Sequence, residues 1–416
     1  MPPFDQNLVL CSYRALEHGE IPSLPFAEGV AQGLITVLSG QQALAVDAKA
    51  RRVALETYGY LDPSQRGNIL IAFDSMHGTG DTWTLPILLE AGYRLRLDPA
   101  CIRHDGNFST APLQIANPEV AESFNNVIAL ARGRVAEALE VKLAKGVNTQ
   151  DQVLWYIDNF QGMGIRVAVL APQQMEADVA MTMDPDADRI GVAFRDIDGS
   201  WHGFNEHDEA NLLTLDAKCR LAQRFRPNQL ENAYATGTMV TTPLIGELAR
   251  YYGLKTSFVM PALSPEELAD PRLKAIFVPP AGTVVDLENF YVGFKNPRNF
   301  VDLLRTLVDM GKAKGAVLCS AEEGEGSAQQ SGAANDKDSA VLLTVADQLA
   351  LDKAQGLTPI QAIMRIYKTV GVGAVRMVPI VFEGATGPRF IQAIMQGVRT
   401  HPPEEMGSFD VKPVSY

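Results

Sequence analysis

Residues 177–195 read ADVAMTMDPDADRIGVAFR. Two short apolar, β-branched runs, Ala177 to Met183 and Ile190 to Arg195, flank one acidic loop, Asp184-Pro185-Asp186-Ala187-Asp188-Arg189. Runs of this length bounded by turn residues read as buried strands. Upstream lies another strand pattern, Ile165 to Leu170, preceded by a helix over about Gln150 to Phe160 and a long helical stretch opened by Asn117-Pro118-Glu119 and running to Lys145. Further upstream, Asn68-Ile-Leu-Ile-Ala-Phe-Asp74 is a strand, Met76-His77-Gly78-Thr79-Gly80 a turn, and Thr82 to Gly92 a helix closing on glycine. Strands joined by longer amphipathic stretches predict an α/β fold.

The pattern repeats downstream. Asn205 to Arg224 reads as a long helix, Thr242-Pro243 as an N-cap before a helix to Gly253, and Pro297 to Met310 as a helix leading into a strand from Gly315 to Cys319. Lys337 to Lys353 is again helical, and Thr358-Pro359 caps Ile360 to Val370. Two comparable α/β units follow: residues 66–204 with the acidic loop, and 205–372. Residues 1–65 are a mostly helical N-terminal segment, with Ala43 to Tyr60 the best helix, and 373–416 a C-terminal connector.

Composition narrows the function. With 46% hydrophobic and 20% charged residues the chain has a globular balance, which excludes a disordered chain or a coiled-coil rod. A net charge of −13 without a basic patch disfavours nucleic acid. No basic leader or long apolar run indicates export or a membrane span, so a cytoplasmic protein is expected. Cys11, Cys101, Cys219 and Cys319 are widely spaced and read as reduced thiols, not as zinc ligands.

The acidic loop carries the chemistry. Alternate carboxylates on an extended loop project to one side, so Asp184, Asp186 and Asp188 can converge on a hard cation. A calcium EF-hand would place Gly and Glu where Arg189 and Arg195 stand, and its loop joins helices instead of strands. Three carboxylates with open positions suit Mg²⁺, which completes its shell with water and phosphate oxygens. Arg189 beside them suits a phosphate oxygen. Other strings are weaker. The His77 turn could aim N–H groups at an anion, although Trp83 replaces the third glycine of a dinucleotide fingerprint. Glu322-Glu323 follows a strand end, where paired carboxylates can bind sugar hydroxyls, and Gly293-Phe294-Lys295 and Asp336-Lys337-Asp338 each offer a lysine. His202 and His207 lie nearest the acidic loop but lack metal-ligand spacing and read as surface residues.

Taken in order, these strings resemble the α-D-phosphohexomutase superfamily, the phosphoglucomutases and phosphomannomutases, and most closely its phosphoglucomutase and phosphopentomutase-like branch. The resemblance runs through the strand and His-Gly turn at Asp74 to Gly80, Asp105-Gly106-Asn107-Phe108, Asn117 to Glu119 and the unchanged DPDADR loop. It continues through Thr238 to Thr242, Gly293 to Lys295, Glu322-Glu323, Lys337-Asp338 and the late GPRFIQAIMQGVRTHPP, covering about residues 66 to 416.

What the resemblance implies is two consecutive phosphohexomutase-type α/β domains, each a mixed sheet flanked by helices, without full first and fourth domains. The activity implied is Mg²⁺-dependent phosphoryl transfer on a hexose or pentose phosphate through a sugar bisphosphate, with this chain as the central part of the enzyme. Asp184, Asp186 and Asp188 would hold Mg²⁺, Arg189 and Lys337 would act on the phosphoryl group, and Glu322, Glu323, Gly293, Lys295 and His77 would contact the substrate. The family's Ser-His-Asn-Pro phosphoserine loop and its Arg-x-Ser-Gly-Thr phosphate loop do not occur, Gly324 stands where the sugar loop has Ser, and Val292 where Thr precedes the Gly. Two expectations follow: no turnover by this chain alone, and self-association through faces that the missing domains would cover. The alternative function is an inactive relative that binds sugar phosphate or serves as an assembly subunit.

Overall fold

The computed structural model describes residues 23–118, 120–144, 165, 167–171, 175–187, 189–204, 209–231, 233–237, 244–258, 319–323, 326–330, 334–335, 339–371, 393–394, 405–406 and 409–410. Contacts divide the chain into two units, Met1–Gly373 and Ala374–Tyr416.

The first unit holds two mixed sheets and the helices that cover them. In chain order the elements used below are α1 (Gly40–Tyr58), β1 (Leu70–Asp74), α2 (Thr84–Ala91), β2 (Arg94–Leu97), α3 (Phe124–Ala131), β3 (Leu139–Leu143), β4 (Val167–Leu170), β5 (Val179–Met183), β6 (Ile190–Arg195) and β7 (Trp201–Phe204). They continue with α4 (Glu209–Phe225), β8 (Tyr234–Gly237), α5 (Leu244–Tyr251), β9 (Lys255–Phe258), β10 (Cys319–Glu323), β11 (Gly326–Gln330), β12 (Ala334–Asn335), α6 (Leu342–Ala354) and α7 (Pro359–Val370). The first sheet has seven strands in the order β4-β3-β2-β1-β5-β6-β7, and the second has five in the order β12-β11-β10-β8-β9.

In the first sheet β1 runs parallel to β2 and β5, and the outer pairs are antiparallel. Period-two alternation sorts its side chains between two covers. Ile71, Phe73, Leu95, Leu97, Met181, Val192 and Phe194 share one core with residues of α1, α2, α4 and α6. Leu70, Ala72, Ala180 and Ala193 pack instead with Phe124, Val127, Leu130 and Ala131 of α3 and with Trp201. A sheet covered on both faces explains why its central strands are continuous apolar runs. In the second sheet β8 runs parallel to β9 and β10, while β10 and β11 form an antiparallel hairpin. In the second unit the described strands are the antiparallel pair Glu405–Met406 and Phe409–Asp410.

Most sequence-based elements are present, and two readings are corrected. The long helix expected through Lys145 stops at Ala131, and Leu139–Leu143 is the strand β3. Gly133 takes a left-handed φ of 69°, the amide of Arg134 bonds back to Ala129 O and that of Gly133 to Leu130 O. That pair of bonds is a helix stop signal. Glu140 on β3 then bonds to Arg94 and Arg96 on β2, so the charged residue that suited a helix surface is buried in the sheet instead. The second correction concerns Glu322 and Glu323: they do not follow a strand ending at Cys319 but end β10 itself, where the ladder to β8 and β11 continues across them. The helices expected over Gln150 to Phe160 and Pro297 to Met310, and the Thr242-Pro243 cap, lie outside the described residues.

Candidate functional site

The acidic loop joins β5 to β6 where β5 ends beside β1, with Asp74 opposite Thr182 in the register. It therefore sits at the carboxyl ends of parallel strands, next to the turn that follows β1. The loop closes on itself: Ala187 N donates to Asp184 O at 3.0 Å, and Ala187 takes a positive φ of 60°. Asp184 is fully buried and receives Arg189 twice, the backbone N–H on Oδ1 at 2.9 Å and Nε–H on Oδ2 at 2.7 Å. Arg189 keeps about a quarter of its side chain in solvent, with 24% exposed. Asp186 is exposed, and its pKa is raised from the ordinary carboxylate value by hydrogen bonding with Asp184, then by burial and the Asp184 charge. Two anions in one closed turn repel unless a cation joins them. Asp188 lies outside the described residues, and among the described residues no three His, Cys, Asp or Glu converge on one point.

Two other segments hold the loop. Thr79 donates to Pro185 O from both its backbone N–H, at 2.7 Å, and its Oγ1, at 3.1 Å. A Cβ on Gly78 would overlap the Cα, C and O of Pro185, so only glycine permits this approach. On the other side, Ser339 N donates to Ala187 O at 3.2 Å, and the Ser339 hydroxyl is hydrogen-bonded to Thr84 Oγ1.

His77 is engaged by residues 103–110. Its Nδ1 lies 2.7 Å from Arg103 O and its Nε2 2.7 Å from Thr110 Oγ1. A carbonyl can only accept, so Nδ1 carries a proton and, in the neutral ring, Nε2 accepts from Thr110. Both nitrogens are engaged by the chain, which makes His77 a brace for residues 103–110 and leaves the neutral ring no nitrogen for a substrate. Within that braced loop Asp105 caps the amides of Asn107 and Ser109, and hydrogen bonds from Ser109 and Asn107 pull its pKa down to about 2. Asp74, at the end of β1, is buried and accepts from Met76 N at 2.7 Å, and desolvation pushes its pKa up to about 6.

The other expected site residues are placed less fully. Glu322 and Glu323 are the last residues of β10, while Gly293, Lys295 and Lys337 lie outside the described residues. Ser339, two positions after Lys337, brings the start of the segment leading into α6 onto the acidic loop. His202 is exposed on β7 and bonded to Ser200, as a surface residue, and His207 is not among the described residues. A cleft of about 510 Å³ lies at the opposite ends of the strands, lined by Ile69, Asp178, Arg195, Leu349 and Lys353, away from the acidic loop.

No protein-family model matches the chain. Phosphoglucomutases of Staphylococcus aureus, including those of strains N315 and USA300, are 24% identical to it over 358 residues, 86% of this chain and 48% of theirs. The curated homologues of the chain are thus members of the α-D-phosphohexomutase superfamily. The chain spans about half the length of the curated phosphoglucomutases it matches. Among solved structures, a phosphoglucomutase/phosphomannomutase family protein from Burkholderia thailandensis superposes with a TM-score of 0.42 at 13% identity, covering 77% of this chain and 46% of that one. An N-acetylglucosamine-phosphate mutase, a member of the α-D-phosphohexomutase superfamily, gives 0.34 at 12% identity over 77% and 49%. No described helix is long and apolar enough to cross a membrane.

Sequence reasoning missed the residues that hold the site. Thr79 had a faint signal, a small hydroxyl between two turn glycines. Ser339 and Thr84 had none, because 255 positions separate the two in sequence.

Proposed function

We propose that the chain supplies the metal- and sugar-phosphate-binding portion of a phosphohexomutase-type enzyme, which moves a phosphoryl group between oxygens of a hexose or pentose phosphate. One observation carries the reading: the β5–β6 loop closes on Asp184 through Ala187 N, with Arg189 held on the Asp184 carboxylate and Asp186 exposed within the same turn. Carboxylate oxygens are hard donors, and a buried carboxylate with an exposed one two positions on, set against their mutual repulsion, suits Mg²⁺. Asp188 would complete the set. Bound there, Mg²⁺ would supply charge neutralisation on the transferring phosphoryl oxygens.

The chain's own groups do the rest by placement. Arg189, oriented through Nε by Asp184, binds a phosphoryl oxygen with its planar guanidinium. Lys337 is a second phosphate partner, and Glu322, Glu323, Gly293 and Lys295 contact the sugar. His77 contributes by bracing residues 103–110. Residues 66–204 act as the metal domain and 205–372 as the sugar domain, in the cytoplasm.

A second reading, an inactive relative that binds sugar phosphate or serves as an assembly subunit, is favoured by the absence of any Ser-His pair in these 416 residues and by Gly324 in the sugar loop.

Calorimetric titration tests the common core. The chain should bind Mn²⁺, then glucose 1,6-bisphosphate only with the metal present, and Asp186→Asn should weaken the metal step at least about tenfold, as expected from losing an anionic ligand. Bisphosphate binding that ignores the metal, or an Asp186→Asn variant that binds Mn²⁺ normally, would count against it. With Mg²⁺ and the bisphosphate, no conversion of glucose 1-phosphate is expected from the chain alone. Turnover lost in Asp186→Asn would place a phosphoryl donor within these residues and remove the second reading.

A further inference from the structure

The position of Asp186 needs an explanation. Two adjacent carboxylates repel, and a six-residue loop between antiparallel strands has room to swing the exposed one into solvent. The structure places a pin on each side of it. The carbonyl before Asp186, Pro185 O, takes two hydrogen bonds from Thr79, and the carbonyl after it, Ala187 O, takes one from Ser339 N. Thr79 belongs to the turn after β1, and Ser339 precedes α6, so neither pin belongs to the hairpin that carries the loop. Gly78 lets the first pin approach, and the hydroxyl contact between Ser339 and Thr84 ties the second to the start of α2. With the peptide before Asp186 held by Thr79, the one after it held through Ala187 N on Asp184 O, and the next one held by Ser339, the φ/ψ freedom of Asp186 is largely gone.

We propose that Thr79 is a positioning residue for the acidic loop: its hydroxyl and amide together hold Pro185 O, opposed by Ser339 N on Ala187 O, and so fix the closed turn that presents Asp184 and Asp186 together to a divalent cation. The inference rests on the metal reading above only for its second readout. Thr79 is exposed, as is its hydroxyl bond to Pro185 O, so its substitution is expected to leave the folded state intact.

Thr79→Val removes the hydroxyl donor at constant shape, whereas Thr79→Ser keeps it. Without any metal, amide hydrogen exchange followed by NMR should be about two- to tenfold faster at Asp184, Ala187 and Arg189 in Thr79→Val, the size expected for one lost hydrogen bond, and unchanged in Thr79→Ser. In Mn²⁺ titrations the Kd should rise by a similar factor in Thr79→Val and return to the wild-type value in Thr79→Ser, with equal thermal midpoints for all three proteins. Wild-type exchange in Thr79→Val, or Thr79→Ser behaving like Thr79→Val, would overturn the assignment. Should wild-type protein bind no Mn²⁺, the metal reading falls and the exchange rates alone decide whether Thr79 holds the loop.

Discussion

Asp74 shows how far a single side chain can be from its solution behaviour. Fully buried at the end of β1, it has one backbone N–H on Oδ1, and desolvation outweighs that bond and the nearby His77 to bring its pKa to about 6. The folded chain therefore holds a proton that the unfolded chain releases near pH 4, so stability from this group is complete below about pH 4 and is lost as pH rises through about 6. On the order of 3 kcal/mol is at stake by linkage. Asp74→Asn, which retains an acceptor for Met76 N, should be more stable than wild type in urea unfolding at pH 7.5 and about equal to it at pH 4.5. Equal stability of the two proteins at both pH values would show that Asp74 ionises normally. At this scale the site was half legible. Asp184, Asp186 and Arg189 announce themselves because alternating acids followed by Arg between two apolar strands have few structural uses. His77 was legible as a turn residue, but the fate of its ring depends on Arg103 and Thr110, whose approach is a tertiary event. Thr79 and Ser339 are chemically ordinary, and what they do depends on which carbonyl lies opposite.

Among the elements, α7 was legible in full. Thr358-Pro359 marks its start, and the structure has the reciprocal bonds expected, Gln361 N to Thr358 Oγ1 at 3.3 Å and Thr358 N to Gln361 Oε1 at 2.9 Å. Proline at the first helical position needs no amide partner, so nothing opposes the cap. Thr358→Ala should cost about 1 kcal/mol in denaturant unfolding, the usual worth of such a cap, with no change in Mn²⁺ affinity. A loss above about 2 kcal/mol would mean that the cap also fixes how α7 packs. By contrast, β3 was read as helix because Leu139-Glu-Val-Lys-Leu143 satisfies alternation and helical spacing equally over so few residues. The arbiter was the partner strand, since Arg96 meets Glu140 at 2.7 Å from across the sheet. The two glutamates of β10 were misplaced for a similar reason: a strand's end is set by its ladder, and β11 had no apolar pattern to advertise it.

At the scale of the molecule, the first unit is tied across its length by Asp347 of α6. This fully buried carboxylate accepts from Arg66 Nε and Nη2 at 2.6 and 2.7 Å, from Tyr93 OH at 2.6 Å, and from the backbone amides of Tyr60 and Leu61 at 2.6 and 3.0 Å. Five donors converge on two oxygens, joining residues 60–93 to a helix more than 250 positions later. Asp347→Ala strands a buried guanidinium and a phenol, and should lower the unfolding free energy by about 3–5 kcal/mol. A loss below about 1 kcal/mol would show that water replaces the carboxylate. The α/β class and the run of elements around the acidic loop were legible because each depends on local periodicity. The seven-strand order was not, because it depends on which strands meet. One of those meetings has a further consequence. Asp178 Oδ2 receives Leu70 N across 108 positions as β5 settles beside β1, so everything between them is in effect a single closed excursion from the sheet. Closure entropy grows only with the logarithm of length, about 0.6 kcal/mol per doubling. Where that excursion leaves β2, β3 and β4 intact, it can lengthen or shorten at little cost while the acidic turn beyond β5 keeps its place.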